Sequence, residues 1–439
     1  MIARRRRREW SNWSGSVRCE PNHVAQPVTI EQIQSEVLRA AEEGERLRVV
    51  GAGHSWSPLC WSDDNHLSLA RFTGIESADA QRHRVWVRAG TRLRDLAESL
   101  SDRGWALENA PDHDAQTLAG AIATGTHGSG AAFGSLSTQV TGLRLVCADG
   151  AVRSCSAEQD PDLFNAARVS LGALGVITHV ELRCVDDYRL RRRNVRASLG
   201  ETLGRIEELR RDHRNFEIFW FPHTGSVIQR RFDETRDPVS TLAPLARLKH
   251  RTVDLSMFQI ASEAARRAPR LSERASTVIM RRAAHRNEVV TAQDAYTVPR
   301  RTRYLAMEYA VPVTRLADTL RQLERVIRAL HFSLPLPIEV RFVRHDEIWL
   351  SPQYRRDSAC IAIPAFPRSE YGGYFSLISE IFDRAEGRPH WGMLHDKTAA
   401  ELQLLYPRHT EFCALRQRLD PRGLFLNPHL ASLFGLPQK

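Results

Sequence analysis

Residues 49–57 read VVGAGHSWS, and the histidine in this turn is the most informative residue of the chain. The apolar run Leu47–Val50 leads into a Gly-Ala-Gly turn, and His54 follows directly. A strand that feeds a glycine turn brings backbone N–H groups close to a ligand, as phosphates require. A Rossmann dinucleotide fingerprint needs a third glycine where this chain has Trp56, so that interpretation fails. The segment therefore predicts a phosphate-type turn with a nucleophilic imidazole beside it.

A second glycine-rich segment, Thr117–Gly130, reads TLAGAIATGTHGSG. Glycines let a backbone curl close to a ligand, while hydroxyls and exposed N–H groups bind phosphate oxygens. Two such loops predict one pyrophosphate held from two sides. The alternative is two ordinary tight turns. We favour the cofactor interpretation because each loop carries a histidine, His54 and His127.

The segment IEVRFV at 338–343 has the alternation of a β-strand. Side chains alternate along a strand, so Glu339 and Arg341 share one face. A carboxylate and a guanidinium inside a pocket can do acid–base work and stabilise an anion. The alternative is an exposed ion pair worth ~0–1 kcal/mol, and the strand pattern alone favours that alternative. Similarly, Trp391 in His390-Trp391-Gly392 is either a core aromatic or a pocket wall.

Composition limits the class of protein. The 439 residues predict two domains, or three, and a hydrophobic fraction of 42% fits a globular chain. The net charge of +10 suits an anionic cofactor or a nucleic acid, but the dense run Arg4–Arg8 is terminal and is interpreted as a solvated tail. Because the chain contains no recognised nucleic-acid-binding motif, we expect no nucleic-acid partner.

Other segments exclude further classes. No apolar run is long enough to cross a membrane. Seven dispersed cysteines without a CxxC pair predict reduced thiols and a cytoplasmic protein. The seventeen histidines lack metal-ligand spacing, so no metal is expected.

Hydrophobic periodicity and turn residues predict an alternation of short helices and strands. The first helix, Thr29–Gly44, has an apolar face of Ile33, Val37, Leu38 and Ala41. The remaining predicted elements are helices at Thr91–Arg103, Asp162–Ser170 and 243–290, a hairpin at 140–155 with an Asp-Gly turn, and strands at Val85–Val87, Val176–Cys184, 216–222, Tyr304–Val311 and Ile338–Val343.

Taken in order, these motifs resemble the sugar-lactone and polyol oxidases of the vanillyl-alcohol-oxidase flavoprotein superfamily, which include L-gulono-1,4-lactone, D-arabinono-1,4-lactone and alditol oxidases. The matching segments are Asn12-Trp13-Ser14, VVGAGHSWSP at 49–58, TLAGAIATGTHGSG at 117–130, SLGALGVIT at 170–178, FEIFWFPHT at 216–224, MEYAVP at 307–312, IEVRFV at 338–343, WLSP at 349–352, HWG at 390–392 and DPRGLFLNPHL at 420–430.

The resemblance implies an α+β, two-lobed fold. Residues 1–185 and 386–439 would bind FAD, and 186–385 would form a substrate cap around an antiparallel sheet. The resemblance also implies a covalent bond between His54 and the 8α-methyl of FAD. The residues expected to hold the cofactor are Gly51, Ala52, Gly53, His54, Ser55, Trp56, Thr117, Gly120, Ile122, Thr124, Gly125, His127, Gly128, Ser129, Ile177, His390 and Asn427.

The resemblance further implies the reaction. A hydride would pass from a substrate CH–OH carbon to the flavin, Glu339 would hydrogen-bond the reacting hydroxyl, and Arg341 would stabilise negative charge. The substrate would be a sugar-1,4-lactone, and the electron acceptor O2 or another oxidant. One departure points to alternatives: the family motif HWGK reads HWGM here, so Met393 replaces a lysine. An alditol, or a sugar of secondary metabolism or the cell envelope, is therefore kept as a second substrate class, with Lys397 and His395 as substitutes for the missing polar group.

Overall fold

The computed structural model describes residues 9–240, 287–297, 303–330, 336–365 and 371–437. The Arg4–Arg8 run lies outside the described residues, as does most of the predicted helical stretch 243–290. The end of that stretch was predicted wrongly, because Asn287–Thr291 is a strand. It pairs with Arg189–Arg193 at the edge of a sheet.

The described helices span Ile30–Glu43, Leu93–Ser101, Leu118–Ala123, Pro161–Ala167, Leu199–Gly204, Ile206–Asp212, Ala292–Ala295, Leu316–Ala329, Tyr371–Arg384, Ala399–Leu405, His409–Leu419 and Pro428–Leu433. The described strands are β1 (Trp10–Ser11), β2 (Arg18–Cys19), β3 (His23–Ala25), β4 (Leu47–Val50), β5 (Asn65–Ser68), β6 (Ile75–Asp79), β7 (Arg84–Arg88), β8 (Trp105–Ala106), β9 (Val140–Val146), β10 (Val152–Ser156), β11 (Val176–Arg183), β12 (Val185–Asp186), β13 (Arg189–Ser198), β14 (Asn215–Phe221), β15 (Ser226–Glu234), β16 (Asn287–Thr291), β17 (Leu305–Pro312), β18 (Ile338–Val343), β19 (Ser358–Ala365) and β20 (Arg388–Pro389).

The first helix illustrates how local sequence sets an element. Thr29 accepts a hydrogen bond from the Gln32 amide at the N-terminus, and Gly44 ends the helix with φ at 70°. Both features match the predicted helix ends. The predicted apolar face is wrong at one position, since Leu38 is 41% exposed and Ala40 is buried instead.

Two small sheets share one hydrophobic core. A parallel sheet has the order β3-β5-β4, and an antiparallel sheet has the order β10-β9-β11-β7-β6. Their core includes residues from the N-terminal part of the chain together with 348–350 and 391–434. Arg48, on β4, ties these parts together, because its buried guanidinium donates to the carbonyl oxygens of Leu59, Leu171, Gly172 and Phe425. The C-terminal segment thus packs against the turn that follows β4.

An eight-stranded antiparallel sheet has the order β16-β13-β15-β14-β18-β19-β17-β20. One face packs on the helices Leu316–Ala329 and Tyr371–Arg384. Its apolar residues in the segments FEIFWF, MEYAVP and IEVRFV are Phe216, Ile218, Trp220, Met307, Tyr309, Val311, Ile338, Val340 and Phe342. The alternate residues of the same strands include Glu217, Glu308, Glu339 and Arg341, and they lie on the opposite face. The α+β class and the antiparallel sheet are confirmed, while the residue limits of the two domains stay a prediction.

Two further observations concern membrane-spanning helices and the cysteines. Across the described segments, no helix combines the length and apolar character needed to cross a membrane. All seven cysteines are free thiols, and five of them are buried.

Candidate active site

The two glycine loops meet. A Cβ on Gly51 would lie 2.3 Å from Thr117 Oγ1, so only glycine fits where the loops touch. The first loop is clamped from both sides: the Trp13 amide donates to Gly53 O at 2.7 Å, and the Trp56 amide donates to Gly392 O at 2.7 Å. The two loops are therefore in contact, with the HWG segment beside the first, while the pyrophosphate between them stays a prediction.

His54 is half-buried at the turn. Its ring centroid lies 4.1 Å from that of His113 and 5.6 Å from that of Trp13. Trp13 belongs to an apolar wall with Trp56, Tyr304, Leu305, Ala306, Met393 and Leu394. The imidazole is thus held between a second histidine and an aromatic surface.

Five buried polar atoms in or beside the motif segments would suit a ligand rich in hydroxyls and phosphates. Gln116 Oε1, Ser170 Oγ, His429 Nε2 and both ring nitrogens of His395 have no hydrogen-bond partner among the described residues. Buried polar groups are almost always satisfied, so a bound polar group is the partner that these atoms lack. Burial lowers the pKa of His395 to about 3 and that of His429 to about 4, so both rings are neutral and can donate and accept. These residues fit a dinucleotide such as FAD.

The second loop is fixed to the large sheet by hydrogen bonds. Ser129 Oγ donates to Phe216 O and accepts from the Phe342 amide at 3.1 Å. The Gly130 amide donates to Phe342 O at 2.8 Å. In the helix before this loop, the Ile122 side chain is fully buried, and Thr124 Oγ1 at the end of the helix donates to Gly120 O at 3.0 Å.

His127 forms a buried pair with Glu308. Its Nε2 lies 2.9 Å from Glu308 Oε1, and its Nδ1 lies 2.9 Å from Gly128 O, so both ring nitrogens face acceptors. Burial alone would lower the pKa of His127, but the Cys360 thiol and the Glu308 carboxylate raise it well above its usual value. Burial alone would raise the pKa of Glu308, but the His127 ring lowers it to about 2. The pair is an imidazolium and a carboxylate.

Cys360 completes a group of three side chains whose nitrogen, oxygen and sulfur atoms lie within 4.8 Å of one another. These are atoms that bind metals. However, the 2.9 Å hydrogen bond between His127 and Glu308 uses the Nε2 position that a metal ion would need. A proton shared by His127 and Glu308 therefore accounts for their close contact without a metal.

Arg341 lies among three carboxylates. Its Nη2 donates to Glu339 Oε2 at 2.6 Å and to Asp112 Oδ2 at 2.8 Å, and its Nε is 3.6 Å from Glu217 Oε1. Glu217 also pairs with Arg230, at 3.3 Å. Burial alone would lower the pKa of Arg341, but these carboxylates, led by Asp112, raise it well above its usual value. The guanidinium is therefore always charged.

The exposure of this cluster decides between the two interpretations of the strand. The Arg341 side chain is 8% exposed and that of Glu339 is 27% exposed. An exposed surface pair is thus excluded, because the guanidinium is buried among Asp112, Glu217 and Glu339. Glu339 is the most accessible carboxylate of the cluster.

Three other predicted residues have structural partners. His390 Nδ1 accepts from the Gly392 amide at 3.1 Å, and burial lowers the pKa of His390 to about 4. Trp391 is a core aromatic, because it is fully buried and donates to Leu350 O at 2.6 Å. Asn427 caps the helix Pro428–Leu433, and its amide donates to the carbonyls of Pro58, Leu59 and Trp61. Ile177 is buried on β11.

Lys397 and His395, the suggested substitutes for the missing lysine, lie in different environments. Lys397 Nζ lies 2.6 Å from Asp383 Oδ1, with Asp396 and Glu401 nearby, and its side chain is only 3% exposed. Its charge is neutralised there, so Lys397 does not replace a lysine at position 393. His395 is buried and neutral.

Sequence reasoning missed four residues of the site: Asp112, His113, Glu217 and Glu308. Glu217 and Glu308 lie in strands with the same alternation as IEVRFV, so that signal was available. Asp112 and His113 lie in a loop, where no periodicity marks them.

Comparison with known proteins gives the family. A model described as D-arabinono-1,4-lactone oxidase matches residues 180–433, and one described as FAD binding domain matches residues 21–156. The chain is 34% identical over 426 residues to L-gulono-1,4-lactone dehydrogenase of Mycobacterium tuberculosis, covering 97% of this chain and 99% of that protein. It is 32% identical over 440 residues to L-gulonolactone oxidase of Scyliorhinus torazame, covering 97% and 98% respectively.

Among solved structures, a solvent-stable cholesterol oxidase aligns with a TM-score of 0.85 over 98% of this chain and 97% of that chain. The identity is 20%, so this likeness shows the fold alone. The family matches cover both the glycine loops and the strand with Glu339 and Arg341. The chain belongs to the D-arabinono-1,4-lactone oxidase family of FAD-linked oxidoreductases that act on CH–OH donors.

Proposed function

We propose that this protein oxidises a CH–OH group of a sugar-1,4-lactone of the gulono, arabinono or galactono type. The observation that carries the proposal is the buried contact between Glu339 and Arg341 on the sheet face that meets the second glycine loop. FAD, when bound, supplies the hydride acceptor, and O2 or another oxidant then takes the electrons. The protein supplies binding, orientation and charge.

The roles of the two residues follow from their exposure. Glu339 is partly accessible, so its carboxylate can accept a hydrogen bond from the reacting hydroxyl and take up its proton. Arg341 is buried and permanently charged, so it stabilises negative charge that develops on the oxygen. The neighbouring acids hold the guanidinium in place, and no movement is needed when the charge appears.

His54 is proposed as the covalent attachment point of FAD. A neutral imidazole is a nucleophile, and the clamped turn holds it in a fixed position. We expect yellow colour to remain with the protein after acid precipitation, and His54→Ala to release it while FAD still binds by the loops. The absorbance of the pellet and supernatant measures this.

The control is His113→Ala, which alters the ring against His54 without removing the nucleophile. It is expected to keep the colour with the pellet. A colourless wild-type pellet would contradict covalent attachment, and a purified protein without any flavin would contradict the proposed function.

A second substrate class is favoured by Met393, which packs against the aromatic wall of Trp13, Trp56 and Tyr304. This surface suits a less polar alcohol, such as a secondary-metabolite or cell-envelope sugar, better than a small lactone. A panel of gulonolactone, galactonolactone, xylitol and sorbitol separates the classes, by bleaching of the flavin without oxygen. Fast bleaching by a lactone supports the first class, fast bleaching by xylitol or sorbitol supports an alditol oxidase, and none by any of the four supports the less polar class.

For the less polar class, we expect Met393→Lys to gain lactone turnover, by about tenfold if one hydrogen bond to a charged donor is added. The matched control is Met393→Gln, which adds polarity without charge. Equal turnover in both variants and in the wild type would remove position 393 from substrate selection.

Finally, the seven free thiols support a cytoplasmic location.

A further inference from the structure

Asp112 is linked both to the His54 turn and to Arg341. It lies next to His113, whose ring packs on His54, and its carboxylate binds the Arg341 guanidinium at 2.8 Å. Asp112 thus connects the glycine turn that carries His54 with the strand that carries Arg341. Its side chain is 11% exposed, so this contact is made away from bulk water.

The loop that carries Asp112 is rigidly held. Asn109 donates to Ser129 O at 3.2 Å, and Gln139 donates to Asn109 O at 2.7 Å. A Cβ on Gly128 would lie 2.4 Å from Ala110 O, so the loop also packs tightly on the second glycine loop. The position of the Asp112 carboxylate is therefore set before any substrate binds.

The contact with Asp112 limits which ligands Arg341 can bind. A buried arginine in an active site is usually a receptor for carboxylates or phosphates, because its fork matches their geometry. Here the same Nη2 already donates to Asp112 and Glu339, and Glu217 flanks Nε. In these ion pairs, three carboxylates share two guanidinium groups, those of Arg341 and Arg230.

We propose that Asp112 determines specificity by occupying Arg341, so that the site accepts an uncharged polyhydroxy lactone or alcohol and rejects sugar acids. This inference rests on the proposed function and names its substrate class. The distinction matters because a sugar lactone hydrolyses to its aldonate, which carries the same hydroxyls and a negative charge. Without Asp112, Arg341 would have one acid fewer to bind and would attract that carboxylate, whereas the negative charge of Asp112 repels it.

The test uses the flavin-loaded protein and two probes, gulonolactone and gulonate. We expect gulonate to perturb the flavin absorbance of the wild type only weakly. Asp112→Asn keeps the shape of the side chain and removes its charge. The variant should bind gulonate at least about tenfold more tightly, because one unit of repelling charge is removed from the site. The KM for gulonolactone should change much less.

The flavin midpoint potential gives a second measurement that does not depend on turnover. With FAD attached at His54 as proposed, the loss of one negative charge beside the neighbouring His113 would favour the reduced, anionic flavin, so the potential of Asp112→Asn should be more positive than that of the wild type. A residue that only stabilised the loop would move neither gulonate affinity nor potential. Asp112→Ser repeats the test with a side chain that can still hydrogen-bond Arg341, in case the asparagine variant folds poorly.

Asp114→Asn is the matched control, because it removes the same charge from the same loop two residues away. It should leave gulonate affinity at the wild-type value. The inference is overturned if the wild type and both Asp112 variants bind gulonate with equal affinity while they still bind flavin and oxidise the lactone. By contrast, a protein that binds flavin but oxidises neither lactones nor alcohols would contradict the proposed function instead.

Discussion

Arg341→Met is expected to slow reduction of the bound flavin by a factor of about 10²–10³, the usual effect of removing one preorganised group that stabilises developing charge. The substitution keeps most of the side-chain volume and removes the guanidinium. It also leaves Glu339, Asp112 and Glu217 close together without the cation between them. Rapid-mixing absorbance under anaerobic conditions, with gulonolactone as the probe, measures the rate.

The same variant should be less stable, by about 3–5 kcal/mol, because it breaks a buried ion cluster by removing one partner. The sign of the pH dependence follows from the carboxylates. Without the guanidinium the uncompensated negative charges repel one another, and this repulsion weakens as protons are added at lower pH. The deficit in unfolding free energy should therefore be larger at pH 8 than at pH 5.

Arg230→Met is the control, because it removes the guanidinium that pairs with Glu217 and leaves Arg341 in place. It should cost some stability but leave flavin reduction within a few-fold of the wild-type rate. If Arg341→Met reduces the flavin as fast as Arg230→Met does, charge stabilisation by Arg341 is wrong.

The strand pattern explains why this part of the site was predictable. In IEVRFV the period of two places Glu339 and Arg341 on one face whatever the strand order. Their partners are set by strand order, since Glu217 is opposite Arg341 only because β14 pairs with β18. Such long-range pairing is not contained in any local segment.

The glycine loops show the same division between local and long-range information. The need for glycine at position 51 is visible in the sequence as a turn, but its cause is the Thr117 hydroxyl of a distant loop. Helix ends with strong signals, such as Thr29 and Gly44, were predicted to the residue. Trp391 could not be assigned, because a buried aromatic and a pocket aromatic have the same local sequence.

Glu308→Gln is the second substitution with a large expected effect, here on stability and its pH dependence. Glutamine keeps the size and an oxygen that can accept from His127 Nε2, but it leaves the imidazolium without its buried counter-charge. Breaking a buried pair in this way costs about 3–5 kcal/mol. Glu347→Gln is the control, since the Glu347–Arg355 pair is exposed and its loss should be nearly neutral.

The sign of the pH dependence follows from the two pKa shifts of the pair. The pKa of Glu308 is lowered to about 2, so its stabilisation is present above its usual value of 4.5 and is lost as the pH falls through 2. The pKa of His127 is raised well above 6.5, so its stabilisation is complete below 6.5 and is lost as the pH rises through the raised value. The wild type should therefore exceed Glu308→Gln in thermal midpoint most clearly between pH 4.5 and 6.5, and the difference should shrink in alkaline solution. A difference that stays constant from pH 5.5 into the alkaline range would mean that His127 is neutral in the folded protein, and that the pair is an ordinary hydrogen bond.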